Sequence, residues 1–145
     1  MTQETATAGF ARIPPEGRTD PGVRKRFSGP ALRSFFNVAS NWKLTTKEQR
    51  ALLGWPSEST YFNYKKGEGG VLSYDTLTRI SLMLGMFKDL NILYPERSLA
   101  DRWVKLPNSN PMFAGETPAA FMMTGGMDAM FSVRRLLDGR RGGWN

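Results

Sequence analysis

Cysteine and histidine are both absent from the 145-residue chain. Without cysteine the chain forms no disulfide and has no thiolate nucleophile, which fits a reducing compartment. Without histidine it lacks the side chain most often used as a general base and as a metal ligand. We therefore expect a protein that acts by binding rather than by catalysis, with no metal and no other cofactor.

Long apolar segments are absent as well. No stretch approaches the ~20 apolar residues that span a bilayer, and the N-terminal segment MTQETATAGFARIPPEG has no apolar core of the signal-peptide type. We expect a soluble, cytoplasmic protein with no membrane partner. Positive charge is abundant instead, with a net charge of +7 and a pI near 10.1. This balance favours a polyanionic partner, nucleic acid before a membrane surface.

Residues 1–29 are rich in proline and glycine and contain few large apolar side chains. Such a segment buries too little surface to offset the entropy lost on ordering, so we predict a flexible N-terminal extension. Helical periodicity begins at Pro30, because proline is favoured at the first position of a helix. The apolar face of this first predicted helix consists of Leu32, Phe35, Phe36, Ala39 and Trp42.

The next two predicted helices have the spacing of a helix–turn–helix. Thr45 and Glu48 form a capping box, which marks a helix start, and Gly54 is placed to end that helix. A turn at residues 55–57 leads into a helix that ends at Gly67. A short helix, a tight turn with glycine and a second short helix are typical of DNA-binding proteins, although a plain α-hairpin has the same outline. The basic charge of the chain favours the DNA-binding interpretation.

The second helix of this pair carries the side chains that DNA recognition requires. Short polar residues reach base edges without conflict with the groove wall, and lysines neutralise phosphates. We expect Phe62 to be the core aromatic residue of this helix. The predicted DNA-binding residues are Ser57, Ser59, Thr60, Asn63, Tyr64, Lys65 and Lys66.

The rest of the chain is also helical by its periodicity, and no run alternates as a strand would. We predict an all-α fold with a helix–turn–helix domain at 30–97 and a small α-helical unit at 98–145. The later helices are predicted to begin at Ser73 or Asp75, at Ser98, at Thr117 and at Met127, and the tail to begin at Gly139.

The stretch 102–118 resembles the toxin-binding domain of Xre/MbcA/ParS-type antitoxins. The family pattern is a tryptophan, an N-P-x-F-x-G-x-x-P stretch, a short helix, a glycine, a final helix and a short tail. The helix–turn–helix at 52–67 is similar to the N-terminal half of the same family. Two departures are a turn at 54–60 that is one residue longer and a doubled glycine at 125–126. The matching residues are Trp103, Asn110, Pro111, Phe113, Gly115, Pro118, Gly125 and Leu137.

The resemblance implies a cognate RES-domain toxin, an enzyme that consumes NAD or uses it to modify a target protein. It implies that the antitoxin's last helix and tail cover the toxin's active-site cleft, and that its helix–turn–helix domain (Xre-like) binds operator DNA as a homodimer or in a larger toxin–antitoxin complex. Tryptophan and arginine are favoured anchors for such an interface, whereas a frayed end is the usual state of a glycine-rich terminus. The predicted toxin-binding residues are Arg134, Arg135, Arg140, Arg141, Gly143, Trp144 and Asn145.

Two other functions fit parts of the sequence. A stand-alone helix–turn–helix transcriptional regulator with a C-terminal dimerisation domain would bind its operator whether or not a toxin is present. An enzyme would need a pair of carboxylates, and Asp101, Asp128 and Asp138 lack the helical spacing that would bring two of them together. We therefore expect no enzymatic activity.

Overall fold

Residues 19–142 are the part of the chain that the computed structural model describes, and they contain α-helices and short 3₁₀ turns but no strand. The prediction of an all-α fold is confirmed. The helices are α1 (Pro21–Asn41), α2 (Thr46–Leu52), α3 (Glu58–Lys66), α4 (Tyr74–Leu93), α5 (Arg97–Arg102) and α6 (Pro118–Arg141), with 3₁₀ turns at Trp103–Lys105 and Pro111–Phe113.

Helix α1 begins nine residues before the predicted start. Asp20 caps it by accepting a hydrogen bond from the N–H of Gly22 at 2.8 Å, and Pro21 takes the first helical position. Pro30 therefore lies inside the helix, where it lacks the N–H of a normal helical bond. The predicted flexible extension is wrong for residues 21–29, and its first 18 residues lie outside the described part of the chain.

Ser28 anchors the part of α1 that precedes Pro30. Its side chain is buried, donates to the carbonyl of Arg24 at 2.6 Å and accepts from the N–H of Leu72 at 2.9 Å. The bond to Leu72 crosses 44 residues of sequence, so local composition does not reveal it. This tertiary contact ties the first turns of α1 to the loop before α4.

The capping signals of α2 and α3 are confirmed. The N–H of Thr45 donates to Glu48 Oε1 at 2.8 Å, and the N–H of Glu48 donates to Thr45 Oγ1 at 3.1 Å. Ser57 caps α3, and Gly67 ends it with a φ of 83°, a left-handed conformation that costs glycine little. The two helices and their turn thus form the predicted helix–turn–helix.

Helix α4 is the central element, and it is capped by Ser73, one of its two predicted starts. It packs against α1 on one side and α6 on the other, and half of its residues are buried. One continuous apolar core contains residues from both predicted halves of the chain, from Ala31 in α1 to Leu137 in α6. The two halves therefore share a core at α4.

The 110–118 stretch shapes the approach to α6. Asn110 accepts from the N–H of Met112 at 2.9 Å and so caps a 3₁₀ turn, which buries Phe113. Phe113 packs edge-on against Trp103, with ring centroids 6.1 Å apart. Gly115 then adopts a φ of 84°. The motif residues therefore act mainly as packing and turn residues.

The C-terminal helices differ from the prediction in two respects and agree with it in a third. The helix predicted from Ser98 ends at Arg102 and tightens into a 3₁₀ turn. The two helices predicted from Thr117 and Met127 are confirmed, because α6 is divided at Gly126, whose φ of 67° and ψ of −150° are not helical. The tail predicted from Gly139 is helical through Arg141, because α6 packs against α4 to its last turn.

Candidate functional site

The outward face of α3 presents four exposed side chains opposite the buried Tyr61. Their positions i, i+3, i+4 and i+7 place them along one side of the helix. They combine a hydroxyl, an aromatic ring, an amide and an ammonium group, which are groups that read base edges and contact phosphates. The four residues, called the α3 face below, are Ser59, Phe62, Asn63 and Lys66.

The expected core aromatic of α3 was wrong. Phe62 is 46% exposed, whereas Tyr61 is fully buried. The hydroxyl of Tyr61 donates to Gln49 Oε1 at 2.6 Å, and Gln49 Nε2 in turn donates to the carbonyl of Leu44 at 2.9 Å. A buried phenol needs such a partner, and Gln49 provides it from α2. This bond fixes the crossing of α2 and α3.

The turn between α2 and α3 is held by Arg50. Its guanidinium donates to the carbonyl of Pro56 at 3.0 and 2.9 Å and lies 5.9 Å from the ring centroid of Trp55. Trp55 has a φ of 61°, a left-handed conformation that is strained for a bulky residue. It directly follows Gly54, which has a φ of 91°. The turn between α2 and α3 thus contains two successive left-handed residues.

The other predicted DNA-binding residues are not on the α3 face. Ser57 caps the helix and donates to the hydroxyl of Thr60 at 3.0 Å. Its Oγ also lies 3.3 Å from the Oγ of Ser59, so one hydroxyl of the α3 face belongs to the same network. Tyr64 is half-buried, and burial raises the pKa of its hydroxyl, which stays protonated as a donor. Lys65 is exposed beside the face, with its ammonium 6.0 Å from the ring centroid of Tyr61.

A cleft of about 710 Å³ adjoins the C-terminal end of α3. Its walls come from α1 and α3 and include Arg33, Tyr64, Lys65 and Lys66. Arg33 was not predicted as a binding residue, because only the folded structure brings α1 beside α3. The cleft adds a third cation to the two lysines and suits the phosphates of a nucleic acid backbone.

A second charged cluster joins the end of α6 to α4. Asp89 of α4 is 1% exposed, and its Oδ1 lies 3.3 Å from Arg141 Nη1. Its Oδ2 lies 3.9 Å from Arg134 Nε, which also donates to both carboxylate oxygens of Asp138 at 2.9 and 3.1 Å. We call these four residues the Asp89 cluster. Asp89 was not predicted as a site residue, since a single acidic residue on an apolar helix gives no local signal.

Protonation differs between the two carboxyl groups of the cluster. The pKa of Asp89 is raised to about 7 by burial first, then by a hydrogen bond with Asp138 and by the charge of that residue, against the opposing charges of Arg141 and Arg134. Burial also opposes ionisation of Asp138, but hydrogen bonds from Asp89 and Arg134 lower the pKa of Asp138 below its usual value. Asp89 therefore holds the proton and Asp138 the charge at mildly acid pH.

The remaining predicted toxin-binding residues fall into two groups. Arg135 is exposed and donates only a long hydrogen bond to Ser132 Oγ at 3.4 Å. Arg140 is partly exposed, and no carboxylate of residues 19–142 lies within 4.0 Å of it. Gly143, Trp144 and Asn145 lie outside the described residues.

The same part of the chain bears on two further kinds of site, a membrane span and a metal centre. No helix between residues 19 and 142 combines the length and apolar character needed to cross a membrane. The described acidic residues form no group of three that could hold a metal ion. The charged surfaces of α3 and α6 are therefore the candidate sites.

Two family descriptions match the chain in succession. The Antitoxin Xre-like helix-turn-helix domain matches residues 25–85, and the Antitoxin Xre/MbcA/ParS C-terminal toxin-binding domain matches residues 89–143. Uncharacterized protein y4oB of Sinorhizobium fredii (strain NBRC 101917 / NGR234) is 39% identical over 112 residues, which cover 77% of this chain and 84% of the relative. No solved structure matches the chain. With its helix–turn–helix followed by a C-terminal toxin-binding domain, the chain belongs to the Xre/MbcA/ParS family of antitoxins.

Proposed function

We propose that this antitoxin neutralises a cognate RES-domain toxin, which consumes NAD, by covering the toxin's active site with the end of α6 and the residues after it. We further propose that it represses its own operon by binding operator DNA through α3, as a homodimer or in a larger toxin–antitoxin complex in the cytoplasm. The observation that carries the proposal is the succession of a DNA-binding and a toxin-binding domain in one basic chain.

The geometry of α3 supports the operator-binding part. Asn63 lies at the centre of the α3 face, exposed, and an asparagine amide can donate to and accept from the major-groove edge of an adenine. Lys65, Lys66 and Arg33 surround the cleft at the end of the same helix, where they can contact phosphates. Base-reading groups and phosphate-binding groups are therefore adjacent.

The end of α6 supports the toxin-binding part. Arg135 and Arg140 present guanidinium groups that no carboxylate of residues 19–142 occupies, and guanidinium binds carboxylates and phosphates in a bidentate manner. A cleft that binds NAD must accommodate its phosphates, so a cationic segment is suited to occupy it. The toxin class itself follows from the family resemblance of the 102–118 stretch.

Co-expression tests neutralisation. The gene that adjoins this one is induced alone and together with the antitoxin, and both growth and cellular NAD are measured. We expect the neighbour to stop growth and deplete NAD, and the antitoxin to restore both. A neighbour that is harmless alone, or that stays toxic beside the antitoxin, would contradict the proposal. Toxicity without NAD loss would contradict only the toxin class.

Operator binding separates the antitoxin from a stand-alone regulator. Mobility shifts with the promoter fragment upstream of the operon are measured with antitoxin alone and with the toxin complex. We expect the antitoxin to bind the promoter at a two-fold related pair of half-sites. We also expect its affinity for the promoter to change when toxin is added. Promoter binding that is wholly indifferent to toxin, together with failed neutralisation, would favour the stand-alone regulator.

A further inference from the structure

We infer that Asp89 is a positioning residue for toxin binding: its buried carboxyl group holds Arg134 and Arg141, and thereby fixes the end of α6 from which the chain continues into residues 143–145. The inference rests on the proposed contact of this end with the toxin. Nothing in the family match distinguishes residues that contact a toxin from residues that hold the contacting segment in place.

The burial of Asp89 is the first observation. A carboxylate that is 1% exposed is unfavourable unless charged or hydrogen-bonding partners surround it. The two guanidinium groups come from α6, at 3.3 Å from Arg141 and 3.9 Å from Arg134. Asp89 Oδ2 has no hydrogen bond within 3.5 Å. The apolar core holds most of α6 against α4, and these two ion pairs add polar contacts that reach its last turn at Arg141.

The space for Arg134 is the second observation. Gly85 lies one helical turn before Asp89 on the same side of α4. A Cβ atom on residue 85 would stand 1.8 Å from Nη1 and 2.1 Å from Cζ of Arg134, so any larger side chain there displaces the guanidinium. Helix α4 thus provides both a slot for Arg134 at Gly85 and a charge for it at Asp89.

The spacing on α6 is the third observation. Arg134, Asp138 and Arg141 follow at i, i+4 and i+7, so they share the side of α6 that faces α4. Measured from Arg134 at 100° per residue, Arg135 lies about 100° and Arg140 about 240° around the helix. The four arginines predicted to contact the toxin therefore divide into two that hold the helix and two that are available to a partner.

The first test uses Asp89→Asn, which keeps the shape of the side chain but removes the charge that holds the arginines. Amide hydrogen exchange is measured over residues 138–142, and affinity is measured for the purified product of the adjoining toxin gene at pH 8. We expect exchange to quicken and toxin affinity to fall, each about tenfold, since the arginines are only partly buried and can be rehydrated. Asp128→Asn, an exposed acidic residue of α6, should change neither.

A purely structural role would predict a different result. Because Asp89 is costly to ionise, the Asn variant should unfold at no lower temperature than the wild type at pH 8. A stable variant that nevertheless loses toxin affinity is therefore the expected signature of positioning. Unchanged exchange and unchanged affinity in Asp89→Asn would overturn the inference. If the wild type itself fails to bind the toxin, the proposed function is wrong, while exchange still shows whether Asp89 holds α6.

Neighbouring arginines give a second test that does not alter the buried residue. Arg141→Ala should quicken exchange at 138–142 and weaken toxin binding, whereas Arg140→Ala should leave exchange unchanged and act on toxin binding alone. Combining Arg141→Ala with Asp89→Asn should weaken binding no further than the larger single effect, because both changes break one contact. Additive effects, or quickened exchange in Arg140→Ala only, would contradict the assignment.

Discussion

The α3 face and the end of α6 are both basic surfaces, yet their cations are arranged differently. Lys65, Lys66 and Arg33 have no carboxylate within 4.0 Å among residues 19–142, whereas Arg134 and Arg141 of α6 are paired with Asp89 and Asp138. Unpaired cations suit a flexible, salt-dependent contact with a polyanion. Paired ones keep a helix end in a defined place. Net charge alone does not distinguish a surface that binds a polyanion from one that holds a helix end in place. Of the two surfaces, the end of α6 combines unpaired with paired arginines.

Removal of residues 140–145 should have the largest effect and should separate the two surfaces. We expect affinity for the toxin to fall by about 100-fold or more, since arginine and tryptophan anchors dominate interfaces, with operator affinity unchanged. Isothermal calorimetry with toxin and mobility shifts with promoter DNA measure the two. The matched truncation of residues 143–145 retains Arg140 and Arg141, and it shows how much of the effect belongs to the arginines. A variant without residues 140–145 that still neutralises the toxin fully would contradict the assignment of toxin binding to the end of α6.

Substitutions on the α3 face should have the converse effect. Asn63→Ala should weaken operator binding by about 10- to 100-fold through lost base contacts, and Lys66→Ala should lower the slope of log affinity against log salt by about 1. Toxin affinity should not change in either variant. Lys88→Ala, an exposed lysine of α4, makes the same charge change away from α3. Equal effects of Lys88→Ala and Lys66→Ala would indicate that net charge, and not this face, governs DNA binding.

Substitutions of Tyr61 and Phe62, two adjacent aromatic residues of α3, should affect stability and operator binding differently. Tyr61→Phe leaves the buried Gln49 Oε1 without its donor and should cost about 1–2 kcal/mol in the free energy of unfolding. Phe62→Ala should leave stability within about 0.5 kcal/mol but weaken operator binding, because the exposed ring lies on the α3 face. Urea denaturation and promoter binding are compared for both. Destabilisation by Phe62→Ala would mean that this ring belongs to the core.

The pH dependence of stability should report the Asp89 cluster. Because the folded-state pKa of Asp89 is about 7 and its ordinary value is 3.8, the folded protein binds more protons than the unfolded chain between these values. This residue's contribution to stability therefore falls as pH rises from about 4 to 7 and is constant above. Asp89→Asn should gain a few degrees in Tm relative to the wild type between pH 5 and pH 8. A difference in Tm between Asp89→Asn and the wild type that stays constant from pH 5 to pH 8 would contradict the raised pKa of Asp89.

The smallest effect is expected at the contact between the helix–turn–helix and the C-terminal unit. Lys105 Nζ lies 2.6 Å from Glu48 Oε1. Burial opposes ionisation of Glu48, but this ammonium and the capping bonds at Thr45 hold its pKa below the ordinary value of 4.5. Lys105→Met should cost about 0.5–1 kcal/mol at pH 7.

This difference between Lys105→Met and the wild type should be complete above pH 4.5. It should disappear as pH falls through the lowered pKa of Glu48, because the protonated carboxyl no longer attracts the ammonium. Urea denaturation at several pH values measures it, with Lys47→Met as the control for a neighbouring exposed lysine. A cost that persists at low pH would indicate lost packing rather than the ion pair.

Local signals explain what the sequence predicts well. Capping at Thr45, Ser57 and Ser73 was correct because each cap depends on residues three positions away. The start of α1 was wrong although its cap, Asp20 followed by Pro21, is a local signal, because the proline- and glycine-rich composition of residues 1–29 favoured a flexible segment. The core aromatic of α3 was wrong because Gln49, in another helix, selects Tyr61 over its neighbour Phe62.

The candidate sites show the same contrast. The residue types of the α3 face were identified because helix composition is visible in the sequence. Ser57 and Thr60 lie outside that face because Ser57 is the N-cap and Thr60 is about 100° around the helix from Ser59. The pairing of Arg134 and Arg141 with Asp89 depends on the packing of α6 on α4, about 50 residues apart in sequence.

Helix α4 has a consequence for how the two activities could be exchanged between relatives. Its buried face contributes to both halves of the core, and the two family matches meet within it, between residues 85 and 89. A recombinant joined at residue 97 or 98 would place a foreign α6 against Gly85 and Asp89, and a joint inside α4 would divide one apolar face between two parents. New pairings of operator and toxin specificity should therefore arise by point substitution on the surfaces more readily than by swapping halves.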